Sequence, residues 1–151
     1  LLALSTVVLG AKGAGNVEPA WIAAKVARAR AAAEALEPIV GRGGAVQVLD
    51  TTEGGIHALY LVRGRQPTRF LYDFHFYHDV DHRYVQGLRR ELLAGLRARP
   101  PAAVLLFERG WPAGGYERID DFPELAAWLA AGYRLARAGD GFRVYAARGD
   151  R

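Results

Sequence analysis

Six consecutive apolar residues, Ala102 to Phe107, follow the pair Pro100-Pro101 and constrain this chain more than any other feature. Proline has no amide hydrogen to give a helix interior, so the pair ends whatever helix precedes it. An uninterrupted apolar run offers no polar face to water, so it reads as a strand covered on both sides. Just upstream, Val85, Leu88, Leu92 and Leu96 recur at steps of three and four, which predicts an amphipathic helix over residues 81–98. A buried strand fed by such a helix is the building unit of an α/β protein.

The rest of the chain extends the alternation. Ile22, Val26, Ala29, Ala33 and Leu36 predict a helix over residues 18–40, with Arg28, Arg30 and Glu34 turned outward. Gly41-Arg42-Gly43-Gly44 stops it, because glycine takes the left-handed geometry a helix end favours. Ala45 to Asp50 then reads as a central strand, and residues 56–62 as a short helix or a second strand, with Ile56, Leu59 and Tyr60 on one face favouring the helix. Arg69 to Tyr72 reads as another strand. Phe122, Leu125, Ala126 and Leu129 mark a third main helix, with Asp120 or Asp121 placed to cap it. Residues 133–137 and 142–146 alternate on either side of Asp140-Gly141, a hairpin signal. The expected fold is α/β: a small three-layer sandwich with a mostly parallel sheet of four or five strands, a closing β-hairpin and three main helices.

Composition removes several function classes. With 151 residues, 51% of them apolar and 24% charged, the chain suits one globular domain. Cysteine is absent, which excludes disulfides and thiolate zinc sites. The net charge is +4, and eighteen of the twenty basic residues are arginines interspersed with acids. No basic stripe is legible, so no nucleic-acid partner is expected. Ser5, the single serine, lies in the apolar start, so a serine-hydrolase triad is excluded. Gly41–Gly44 precedes a strand, the wrong order for a dinucleotide fingerprint, and no glycine run is followed by a Walker lysine.

Leu1 to Gly10 is nearly all apolar, yet shorter than the ~20 residues a bilayer span takes. It reads as a buried strand, the tail of a signal peptide, or the last turns of a transmembrane helix. Residues 11–16 read as a linker and 17–148 as the soluble domain. Because methionine is absent, the chain is expected to be a piece of something longer.

Two groups of residues carry the candidate chemistry. Asp73 to His82 packs three of the four histidines and three aspartates into ten residues, interleaved with Phe74, Phe76 and Tyr77. His75, His78, His82, Asp79 and Asp81 are ligand types that divalent ions accept, and His78 and His82 would share a face of a helix beginning by Asp79. No HExxH pattern or four-ligand spacing is present, so neither zinc nor another cofactor is expected. The alternatives are a solvated structural loop and a substrate-facing one. After the first strand, Asp50 and Glu53 lie where the ligand crevice of an α/β sheet opens, and Trp111 sits in the corresponding loop after Phe107. Arg63, Arg65 and Arg69 form a basic turn, either solvated or able to fork onto a phosphate. The substrate-facing candidates are Asp50, Glu53, Arg63, Arg65, Arg69, Asp73, Phe74, His75 and Trp111.

The order Val46–Asp50, then Ala58–Phe76 (ALYLVRGRQPTRFLYDFHF), Arg97–Pro112 (RARPPAAVLLFERGWP), Phe122–Ala136 and Phe142–Arg148 carries a resemblance. It resembles the soluble C-terminal domain of bacterial integral-membrane glycosyltransferases of family 39, the protein-mannosyltransferase-like and aminoarabinose-transferase-like group of the GT-C class. The resemblance spans residues 17–148. It implies a parent enzyme that moves a sugar from a polyprenyl-phosphate donor to a lipid or protein acceptor, in the bacterial cell membrane, with this domain on the extracytoplasmic side. It also implies that residues 1–10 are the end of the last transmembrane helix, and that the partners are the parent's transmembrane part, the membrane surface and the lipid-linked donor. The family's catalytic acid belongs to a part of the enzyme outside these residues, so no catalytic residue is assigned. Two other readings stay open: a free-standing secreted or periplasmic module binding sugars or nucleotides, and a small metal-dependent hydrolase using His75, His78 and His82.

Overall fold

The computed structural model describes residues 19–112 and 114–149. The expected membrane-span remnant (residues 1–10), the linker (11–16) and Ser5 lie outside the described residues. Helix α1 (Pro19–Val40) buries Ala29, Ala32, Ala33 and Leu36, and the three alanines let it lie close against the sheet. Strand β1 (Val46–Leu49) is buried throughout and leads through a turn into the short helix α2 (Gly55–Leu61). Helix α3 (Arg83–Ala98) seats Val85, Leu88, Leu92 and Leu96 inward as their spacing requires. After the two prolines, β2 (Ala103–Phe107) is buried at every position, the double coverage expected of its apolar run.

Some expectations of helix detail fail: Ile22 and Tyr60, expected on the apolar faces of their helices, are exposed. Asp120 and Asp121 close a 3₁₀ turn (Tyr116–Asp121), and α4 (Pro123–Gly132) begins at Phe122 without any side-chain cap. Pro123 occupies the first turn, where an amide donor is not missed. Arg28 is turned inward, toward the loop after β1, because Glu53 draws it there.

The chain ends in a hairpin of β3 (Tyr133–Gly139) and β4 (Phe142–Ala147). The sheet order is β1-β2-β4-β3. β1 and β2 pair in parallel, Val46 opposite Ala103, while β2–β4 and β3–β4 are antiparallel. The sheet is therefore mixed and mostly antiparallel with β1 at its edge, a correction to the expectation of a mostly parallel sheet with β1 central. The cause lies in the hairpin. β4 alternates Phe142, Val144 and Ala146 inward and fits beside β2, whereas β3 carries Arg134 and Arg137 and suits an edge, where charge discourages further pairing.

The strand expected at Arg69–Tyr72 does not form. Residues 65–73 run along the open edge of β1, joined by Val46 N–H to Arg65 O, the Gln47 side chain to Phe70 O, and Asp73 N–H to Asp50 O. A buried glutamine thus bonds where a ladder would, which satisfies the edge without a regular strand.

Helices cover both sides of the sheet's inner strands. One core joins Ala33, Leu36, Leu59, Leu105, Phe107 and Val144 under α1 and α2. The other joins Leu92, Leu96, Leu106, Phe76, Phe122 and Leu125 under α3 and α4. The three layers stop at β3, where Leu135 is half exposed.

Candidate functional site

Past their last residues the two parallel strands diverge. The chain leaving β1 turns into α2 on one side of the sheet, and the chain leaving β2 turns toward α4 on the other. This is a topological switch point, where a crevice opens between the carboxyl ends of neighbouring strands. Asp50, Thr51, Asp73, Trp111 and Arg118 converge there.

Asp50 is 2% exposed and faces inward. Its carboxylate accepts from the amides of Glu53 (2.9 Å), Gly54 (3.1 Å) and Gly55 (2.8 Å), which fixes the turn into α2. Burial pushes its pKa up from the usual 3.8 and the Asp73 charge adds to this, while the three amides pull it down. Only glycine fits at 55, since a Cβ there would lie 2.3 Å from Val48 Cγ1. Glu53 pairs with Arg28 at 2.7 Å and Lys25 at 3.4 Å, tying this loop to α1.

Asp73 and Arg118 form the centre of the crevice, and each side chain is 1% exposed. Arg118 donates Nη2 to Asp73 Oδ2 at 2.7 Å, and Nη1 to the carbonyls of Phe107 (2.6 Å) and Gly115 (2.7 Å). The Thr51 hydroxyl donates to Asp73 Oδ1 at 2.9 Å and accepts from the Trp111 amide at 3.3 Å. Beside this pair, the buried Tyr77 hydroxyl has no hydrogen-bond partner among the described residues, and its pKa is raised chiefly by burial.

Above the sealed carboxylates lies an exposed aromatic shelf. Trp111, 54% exposed, stacks on His78 at 5.2 Å and 28° and meets Phe74 edge-on at 6.3 Å. Phe74 in turn touches His75 at 3.8 Å and Tyr72 at 6.2 Å. Tyr72 borders a shallow groove of about 220 Å³ that reaches Asp50 and Thr52. The Trp111–Pro112 peptide is cis.

The structure therefore brings Asp50, Glu53, Asp73, Phe74, His75 and Trp111 to one end of the sheet, but splits them by depth. The carboxylates are internal and the rings face water. Arg63 and Arg65 are elsewhere: Arg65 pairs with Ala45 before β1, at the opposite end. Arg69 is exposed and forks onto Glu91 of α3 at 2.6 and 2.9 Å. His82 caps α3, its Nδ1 accepting from the Tyr84 amide at 3.2 Å, and the helix starts too late to place His78 on its face. Among the described residues, no three of His, Asp and Glu are arranged to hold a metal. Thr51 and Arg118 were not legible from sequence; Arg118 sits in a run of charges (Glu117 to Asp121) that reads as a solvated turn. Comparison with family models, curated proteins and solved structures found no match.

Proposed function

We propose that this chain is the non-catalytic, extracytoplasmic domain of a bacterial membrane glycosyltransferase, and that its aromatic shelf faces the lipid or protein acceptor. One observation supports the non-catalytic role: the crevice carboxylates are already bonded inside the protein. A general acid or base must reach the proton it moves. Asp73 is held by Arg118 and Thr51, Asp50 by three amides, and Glu53 by Arg28 and Lys25. Exposed rings, by contrast, suit a sugar or an apolar segment, which they bind by area and stacking without proton transfer. The donor and the chemistry belong, in this reading, to the parent's transmembrane part.

The test is made in the full-length parent with Trp111→Ala. The expected result is a higher KM for acceptor with kcat and donor KM unchanged, because the ring is exposed and holds no reacting group. Sugar transfer or glycoside hydrolysis by the 151-residue chain alone, abolished by changing one carboxylate, would overturn the reading. Absence of hydrophobic spans from the upstream coding sequence would overturn it as well.

A further inference from the structure

The sheet ends in an open strand. β3 pairs with β4 alone, and among the described residues no other strand meets its outer side. In an antiparallel pair, alternate residues turn their amide and carbonyl groups away from the partner strand. β3 therefore offers a row of unused backbone donors and acceptors.

A bulge decides which side chains flank that row. Arg134 and Arg137 are three positions apart, and in a regular strand they would point to opposite faces. The register of β3 shifts between Leu135 and Arg137, which sets Arg134 opposite Ala146 and Arg137 opposite Val144. Val144 and Ala146 share one face of β4, and Val144 belongs to the core under α1, so both arginines lie on the α1 side of the sheet. Leu135 stands opposite Tyr145 on the other face, where Tyr145 and Trp128 are partly buried against the second core. Arg134, Arg137 and Leu135 are all exposed, Leu135 by 51%. One open edge thus has a cationic face and an apolar face.

The charge along it is unbalanced. Residues 133–148 hold four arginines and one carboxylate, Asp140 in the hairpin turn, which lies 3.9 Å from Arg28 of α1. Arg134 and Arg137 make no ion pair among the described residues. A second copy of this chain laid along β3 would bring arginine to arginine, which repels. A strand carrying carboxylates has the sign that these arginines lack, and guanidinium forks match carboxylate oxygens.

We infer that β3 takes up an extended acidic segment of a partner protein as a further strand, one in which carboxylates alternate with apolar residues. Main-chain hydrogen bonds to the open side of β3 hold the segment, and the alternation gives specificity. Its carboxylates meet Arg134 and Arg137 on one face, and its apolar side chains cover Leu135 on the other. The inference is independent of the proposed function, since it uses neither the crevice nor the aromatic shelf.

The experiment titrates the 151-residue chain with a blocked peptide of alternating glutamate and valine, matched to the seven residues of β3, and follows amide signals and amide hydrogen exchange by NMR. Saturable binding with slower exchange of β3 amides is expected. The same peptide with lysine in place of glutamate, or with every amide N-methylated, should not bind measurably. The double variant Arg134→Ala, Arg137→Ala should weaken the glutamate peptide by about tenfold, the scale of two exposed charge pairs. Both side chains are exposed, so the variants keep the fold. Arg134→Glu, Arg137→Glu should reverse the preference, so that the lysine peptide binds and the glutamate peptide does not. No saturable binding of the glutamate peptide at millimolar concentration would overturn the inference, as would equal binding of the N-methylated peptide or binding unchanged in the double alanine variant. Two further outcomes overturn it by naming another occupant. One is self-association that protects β3 amides, which assigns the edge to a second copy. The other is arginine-dependent sedimentation with phosphatidylglycerol vesicles without peptide binding, which assigns it to a lipid surface.

Discussion

In the crevice, Arg118 gives its guanidinium to the Asp73 carboxylate and to the carbonyls of Phe107, Glu108 and Gly115. In the groove between α3 and the start of α4, Arg89 gives two donors to the one carbonyl of Phe76. Both side chains are buried, so burial alone does not separate them. The difference lies in what completes them. Arg118 has a carboxylate from a segment forty-five positions away and ties the segment along the edge of β1 to the loop after β2. Arg89 has its neutral carbonyl and an open edge facing a groove. A sealed ion pair at a sheet's switch point ties distant segments together, whereas Arg89 rests on one neutral carbonyl and the face of Phe122.

The largest effect should come from breaking the sealed pair. Asp73→Ala leaves Arg118 buried without its counter-charge, which is expected to cost about 3–5 kcal/mol. Urea unfolding measures it, and the double variant Asp73→Ala, Arg118→Met should recover part of the loss, because the second change removes the orphaned charge. A cost below about 1 kcal/mol, the range of exposed pairs, would mean the crevice is open to water.

Arg89→Met should cost less. It removes a buried cation lacking a carboxylate, and leaves the Phe76 carbonyl without that donor, a penalty of about 1–3 kcal/mol offset by the relief of the charge. Equal losses for Arg89→Met and Asp73→Ala in the same urea series would erase the contrast between the two regions.

The smallest effect concerns Asp50. Its folded-state pKa stands above 3.8, so the folded protein holds that proton more tightly than the unfolded chain does. The contribution of Asp50 to stability is therefore greatest below 3.8 and declines as pH rises through the raised value. Carbon-13 NMR of the Asp50 carboxyl should place its midpoint above 3.8, and Asp50→Asn should flatten that part of the stability profile. A midpoint below 3.8 would mean that the three amides outweigh burial and reverse the sign.

Much of this was legible from local pattern. The steps of Val85, Leu88, Leu92 and Leu96, the apolar run behind two prolines, and Asp140-Gly141 between alternating strands each describe a few consecutive turns or one hairpin, and each element formed where its pattern lies. The candidate site was legible in place but not in depth. The loops after β1 and β2 do meet, with Asp50 and Trp111 in them and Asp73 beside them, yet aspartates that spell a polar loop turn inward because Arg118 and three amides satisfy them. A single sequence carries no sign of that, since a buried arginine and a solvated one are the same letter.

By itself, then, the amino-acid sequence determined the helices, the two parallel strands, the closing hairpin and the exclusion of cysteine chemistry. These follow from near-neighbour periodicity, turn geometry and composition. Only the tertiary structure decided that β4 and not β3 lies against β2, that residues 65–73 bond to β1 without becoming a strand, and which of two buried arginines meets a carboxylate. Each of those choices pairs groups tens of positions apart, and what selects the partner is the space and polarity left once both cores have closed on the sheet.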